Sequence, residues 1–178
     1  MSQFIEIVRG TPVGHRGIII PLVDLPNEIQ IAQEKKQELY RSYYLYDKDI
    51  IEYIDTKKTI AGFNGKIHLE RILLDIDKGT NSDNYTLERL RALIERIEGD
   101  YGVPAENLHV YFSGRGYHLE MPDIFGFEPS ETLDTVVRNT LIKLFPEADP
   151  VYDKTRIIRV VHTINAKSLL YKIPLTHQ

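Results

Sequence analysis

Apolar residues recur at steps of three and four from Tyr85 to Ile97, at Leu87, Leu90, Leu93, Ile94 and Ile97. That spacing predicts a helix with one buried stripe, and Gly99 and Gly102 are read as its end. Ser130 to Leu144 repeats the pattern, with Ser130 as its N-cap. Ile67 to Ile76 carries Ile67, Leu69, Ile72, Leu73, Leu74 and Ile76, which predicts one buried strand that ends in acids. Lys78 to Asn84 follows as a polar turn. Asn107 to Phe112 and Tyr117 to Met121 read as strands of a hairpin around Ser113-Gly114-Arg115-Gly116. Arg156 to Val161 and Leu169 to Leu175 read as strands around a polar loop.

The first third is less regular. Gln3 to Val8 and Ile18 to Val23 suit short strands, with a loop over Gly10 to Gly17 between them. Asn27 to Leu39 suits a weak helix, Ser42 to Tyr46 an aromatic-rich strand, and Asp47 to Tyr53 a helical turn. The mixed order predicts an α+β protein with a largely antiparallel sheet.

Composition narrows the class. The 178 residues are 42% hydrophobic and 27% charged, which suits one globular unit and excludes long disorder, collagen and coiled coil. No apolar run approaches the roughly 20 residues that span a bilayer. Met1-Ser2-Gln3-Phe4 lacks the basic and apolar regions of a signal peptide, so a cytoplasmic protein with no membrane association is expected. The absence of cysteine excludes disulfides, thiolate zinc sites, iron–sulfur clusters and cysteine nucleophiles. A net charge of -4 argues against tight non-specific duplex binding.

Three clusters carry candidate chemistry. In Leu73-Leu74-Asp75-Ile76-Asp77-Lys78-Gly79, a strand would point Asp75 and Asp77 to one face. Paired carboxylates suit Mg²⁺ or Mn²⁺, although a strand running into a polar turn has the same spacing. In Ser113-Gly114-Arg115-Gly116-Tyr117-His118, turn amides, Ser113, Arg115 and His118 suit phosphate oxygens, or form an ordinary hairpin turn. From Lys154 to Lys172 every charged side chain is basic. That stripe suits a triphosphate or a nucleic-acid backbone, or protects a solvated sheet edge. Arg156 and Arg159 are an odd number apart, so one is expected at the ligand and the other toward solvent or a carboxylate.

Taken in order, the clusters resemble the archaeo-eukaryotic primase superfamily. The resembling residues are Leu74-Asp75-Ile76-Asp77, Ser113-Gly114-Arg115-Gly116-Tyr117-His118, Asp149-Pro150-Val151-Tyr152, Arg156-Ile157-Ile158-Arg159 and Asn165-Ala166-Lys167. Tyr40-Arg41-Ser42-Tyr43-Tyr44 is similar to an Arg-aromatic strand upstream of the catalytic half, and Lys167 to Leu175 looks like the close of phage and plasmid cores. The shorter turn also favours the phage, plasmid and bacterial branches. The resemblance implies an RRM-like catalytic half over 67–178, fused to a smaller N-terminal α/β unit over 1–66. It implies Asp75, Asp77 and Asp149 as catalytic metal ligands for Mg²⁺ or Mn²⁺, with Asp153 and Glu147 as competitors for the third place. It implies Ser113, Arg115, His118, Arg159, Lys167 and Asn165 at the nucleotide, Asn165 standing where cellular small subunits carry histidine. The zinc element of those subunits is impossible without cysteine.

The activity so implied is template-directed nucleotidyl transfer from nucleoside triphosphates, starting or extending primers on single-stranded DNA. A helicase or helical accessory domain is the implied partner, in a prokaryotic or phage-infected cell. The alternatives are a repair polymerase that only extends, a metal-dependent phosphohydrolase or nuclease, and a non-catalytic single-strand binding module. Tyr43, Tyr44, Tyr46 and Tyr53 suit either base stacking or a small aromatic core.

Overall fold

A computed structural model describes residues 3–10 and 16–176. The loop expected over Gly10 to Gly17 falls largely outside them. The chain is α+β, with antiparallel pairing throughout both sheets. In chain order the elements are β1 (Phe4–Arg9), β2 (Ile18–Pro21), α1 (Leu25–Glu34), β3 (Leu39–Ser42), β4 (Leu45–Tyr46), α2 (Asp49–Lys57), β5 (Ile67–His68) and β6 (Ile72–Asp77). They continue with α3 (Asp83–Tyr101), β7 (His109–Phe112), β8 (Gly116–Met121), α4 (Leu133–Leu144), β9 (Ile157–Arg159) and β10 (Ile173–Leu175). No described helix is long and apolar enough to cross a membrane.

The first sheet runs β5-β4-β1-β3-β9, with β2 on the other side of β1. The second runs β10-β7-β8-β6. Sequence position 66/67 is therefore crossed twice, because β5 and β9 belong to the sheet built from the N-terminal strands. The single strand expected over Ile67 to Ile76 is two strands in different sheets. Its break falls at 69–71, where Glu70 turns out to pair with Arg41 at 2.7 Å.

Alternation explains the second sheet's two faces. Ile72, Leu74 and Ile76 pair with Met121, Leu119 and Tyr117, and this face packs on Leu90, Leu93 and Ile97 of α3 and Leu133, Val137 and Leu141 of α4. The other face carries Leu73, Asp75 and Asp77. A smaller core of Ile5, Ile7, Leu39, Leu45 and Val160 seals the first sheet against Ala32 of α1.

Helix ends differ from the sequence reading for local reasons. Ser82 caps α3 by accepting from the Tyr85 amide at 3.2 Å. The helix runs through Gly99 and stops at Gly102, whose φ of +64° admits the left-handed turn that ends it. α4 starts at Leu133, not after Ser130, because the Ser130 carbonyl accepts from the Ile67 amide at 3.1 Å. Leu22 and Val23, read as strand, belong to a 3₁₀ turn over Leu22–Asp24, and Leu39, read as helix, opens β3. Leu169 to Tyr171, read as strand, precedes β10.

Tyr43, Tyr44 and Tyr46 are core residues. The Tyr43 hydroxyl donates to the Arg71 carbonyl at 3.2 Å and accepts from the Leu73 amide at 3.1 Å. Those of Tyr44 and Tyr46 donate to the carbonyls of Tyr152 at 3.0 Å and Lys154 at 3.2 Å. Burial pushes all three phenols up. Buried rings of this kind stitch 43–46 to the 152–154 segment and are closed to base stacking.

Candidate functional site

The bare face of the second sheet meets the first sheet at a pocket of about 140 Å³. Leu73, Asp75 and His118 line it from one side, and Tyr40, Arg156 and Arg159 from the other. A larger hollow of about 420 Å³ lies on α2 beside Lys48, Asp49, Glu52 and Asp55, and gathers no buried polar group.

β6 supplies the acids. Asp75 stands directly opposite His118 on β8, and Asp77 opposite Gly116. The approach at Gly116 is close: a Cβ there would lie 2.3 Å from the Ile76 carbonyl oxygen. Asp149 reaches the free edge of β6, where its amide donates to the Asp75 carbonyl at 2.8 Å. Its Oδ2 accepts from the Asp77 amide at 3.1 Å. Asp149 is thereby bridged to β6 beside Asp75 and Asp77, and its charge and that of Asp77 both act on the Asp75 carboxyl.

Asp149 is held from behind. Arg89 of α3 donates to the carbonyls of Asp77, at 3.4 Å, and Glu147. Arg96 donates to the Leu144 carbonyl and pairs with Glu147 at 2.6 Å. These guanidiniums satisfy carbonyls at and beyond the end of α4, which a helix alone leaves unpaired. Glu147 is thus a structural partner of Arg96, and Asp153 pairs with Arg138 at 3.3 Å and Arg156 at 3.1 Å.

Burial is the first cause that pushes the Asp75 carboxyl up to about 7, followed by the charges of Asp77 and Asp149. Its Oδ1 is buried without a hydrogen bond among the described residues. His118 Nε2 lies 3.5 Å away, too long for a good hydrogen bond, and burial, then the charges of Lys172 and Arg159, hold the imidazole's pKa well below its ordinary value, so it brings no positive charge to Asp75. No described group of three or more His, Asp or Glu residues forms a ready-made metal cage. Asp75, Asp77 and Asp149 offer carboxylate oxygens, the donor type a hard divalent cation takes, and one of these, Asp75 Oδ1, is buried and unpaired among the described residues.

The opposite wall is cationic. Arg159 is only 8% exposed, and one of its Nη2 hydrogens goes to the Ser113 carbonyl. Its Nε and Nη1 are buried with no hydrogen-bond partner among the described residues. Burial lowers its pKa. Arg156 also lines the pocket, but its Nη2 is engaged by the Asp153 carboxylate at 3.1 Å, whereas Arg159 keeps its unpaired N–H groups. Arg156 lies before β9 begins, where strand alternation does not apply. Tyr40 donates to the buried Glu38 at 3.0 Å, and its phenol is pushed up to about 12, first by burial and then by that bond.

The remaining expected residues are dispersed around this wall. The Ser113 hydroxyl accepts from the Gly116 amide at 3.2 Å and so closes the hairpin turn. Asn165 Oδ1 accepts from the amides of Lys167 at 2.9 Å and Ser168 at 3.2 Å. Its loop sits against the turn, since a Cβ on Gly114 would meet Ser168 Oγ at 2.9 Å. Arg115 and Lys167 are exposed and do not line the pocket.

Sequence reading missed Lys172. It is 2% exposed, and its ammonium lies 3.0 Å from His118 Nδ1, 3.0 Å from the Arg159 carbonyl and 4.7 Å from the Tyr111 ring centroid. Burial lowers its pKa to about 8. The available signal was a single cation alternating with apolar neighbours, which places it on the face opposite Tyr171 and Ile173.

No family model, no curated protein and no solved structure matches the chain.

Proposed function

We propose that this chain is the catalytic core of a DNA primase-polymerase, transferring nucleotides from nucleoside triphosphates onto a primer on single-stranded DNA. The observation that carries the reading is the Asp149 bridge: residues 72 to 74 positions apart in sequence set Asp149 against the backbone of Asp75 and Asp77 on β6, and Asp75 faces Arg156 and Arg159 across the pocket. The order β6-α3-β7-β8-α4, followed by an antiparallel bridge back to β6, supports an RRM-like catalytic half.

Asp75, Asp77 and Asp149 would hold the metal. Bound there, Mg²⁺ or Mn²⁺ supplies Lewis acidity to an attacking hydroxyl and to a leaving pyrophosphate. The unpaired N–H groups of Arg159 bind phosphate oxygens, and His118 adds a donor beside Asp75. Arg115 and Lys167 meet the outer phosphates or the template from the exposed side. The cytoplasm of a prokaryotic or infected cell, with a helicase or accessory domain as partner, suits this activity.

The test is synthesis on unprimed and primed single-stranded DNA with deoxy- and ribonucleotides and either metal, beside Asp75→Ala/Asp77→Ala. Products on unprimed template that vanish in the double variant support a primase-polymerase. Extension of primers alone narrows the reading to a polymerase. Strand loss or phosphate release in place of extension replaces it with a hydrolase.

A further inference from the structure

His118 sits between a carboxylate and an ammonium, and the two neighbours impose different demands on its ring. As an ammonium, its form below a pKa of about 8, Lys172 is a donor without acceptor capacity. The Lys172 nitrogen approaches Nδ1 at 3.0 Å, so Nδ1 must accept. The other demands on that ammonium are met by the Arg159 carbonyl and by the face of Tyr111. A neutral ring whose Nδ1 accepts carries its proton on Nε2, the nitrogen 3.5 Å from Asp75 Oδ1.

We propose that Lys172 is a positioning residue that fixes His118 as the Nε2–H tautomer, so that the imidazole faces the pocket as a hydrogen-bond donor and not as an acceptor. Lys172 itself does not line the pocket, and it acts through His118. A donor there suits a phosphate oxygen, whereas an acceptor would repel it. Register keeps the pair together: His118 is opposite Tyr111 on β7, and β10, which follows Lys172, pairs with β7 on its other side. The catalytic consequence rests on the proposed nucleotidyl transfer, but the tautomer does not.

The test uses the full chain labelled with ¹⁵N at histidine, read by long-range ¹H–¹⁵N correlation at pH 7.5. The wild type is expected to show His118 as the Nε2–H tautomer. Lys172→Met is expected to lose that bias and to lower kcat/KM for the nucleotide about tenfold, the usual cost of an orienting partner. In a His118→Ala background, Lys172→Met is expected to cost nothing further, which a merely structural role would not produce. A wild-type Nδ1–H tautomer, a ring protonated on both nitrogens, or a Lys172→Met protein that keeps the Nε2–H form overturns the proposal. If Lys172→Met does not fold, the wild-type spectrum decides alone. If the wild type synthesises nothing, the spectrum still decides the tautomer while the proposed activity fails.

Discussion

Asp149 faces Asp75 and Asp77 with different parts of itself: its amide donates to the Asp75 carbonyl at 2.8 Å, and its carboxylate accepts from the Asp77 amide at 3.1 Å. The backbone bond fixes how close the third carboxylate stands to the other two. The side-chain bond offsets only part of the repulsion, because Asp75 remains burdened by both neighbours. The acids are thus gathered by sheet geometry, against their own electrostatics.

That opposition is measurable as stability. The carboxyl of Asp75 has a folded pKa of about 7, above its ordinary 3.8. The folded state therefore binds the proton more tightly, and the stability this lends is complete below pH 3.8 and is lost as pH rises through about 7. Asp75→Asn should raise metal-free stability at pH 8 by on the order of 2–4 kcal/mol and change it little near pH 4. Urea unfolding at the two pH values checks this.

Divalent cation should do the same for the wild type. At about 100 times Kd, a single site adds about 2.7 kcal/mol. Mg²⁺ or Mn²⁺ is expected to raise the melting temperature at pH 8, with the rise abolished by EDTA and by Asp149→Asn. A rise that survives Asp149→Asn would remove Asp149 from the ligand set.

The buried Glu6 is a second test of electrostatics, away from the acids. Arg16 meets it with two bonds at 2.8 and 2.6 Å, and the Gly17 amide adds a third at 2.7 Å. The same guanidinium donates to the Thr155 carbonyl at 2.8 Å, one residue before Arg156. Arg16→Ala should cost about 3–5 kcal/mol in denaturant unfolding, because it leaves a buried charge uncompensated.

Gly116→Ala should cost about 1–3 kcal/mol, since the added methyl meets backbone of β6 rather than a yielding side chain. The strand displaced is the one that carries Asp77, so synthesis should fall further than stability alone explains. Comparing activity at a temperature where the variant is fully folded separates the two effects.

Much of the second sheet was legible because its signals are local. Leu87 to Ile97 fixes α3 by period, and the glycine turn fixes β7–β8. Asp75, Asp77 and His118 share a face by alternation alone, once the hairpin register is known. What was not legible depends on residues far apart. Ile67 to Ile76 looks like one strand because both halves are apolar, and only pairing with β4 and β8 divides it. Lys172 carries no motif, and its burial follows from three partners in separate segments. Tyr43, Tyr44 and Tyr46 fit a core or a stacking surface equally well until their hydroxyl partners are known.

The placement of β9 has a consequence for how the chain is made. Ile157–Arg159 closes the edge of a sheet whose other strands lie within the first 68 residues. During translation that edge is closed only after Asp75, Asp77 and Asp149 have been added to the chain. Segments that emerge first fold first, and long-range strand pairing is slow. A product stopped before Ile157 therefore has its acids but not Arg159 or Lys172. The side of the pocket that attracts anions is the part that synthesis delivers last.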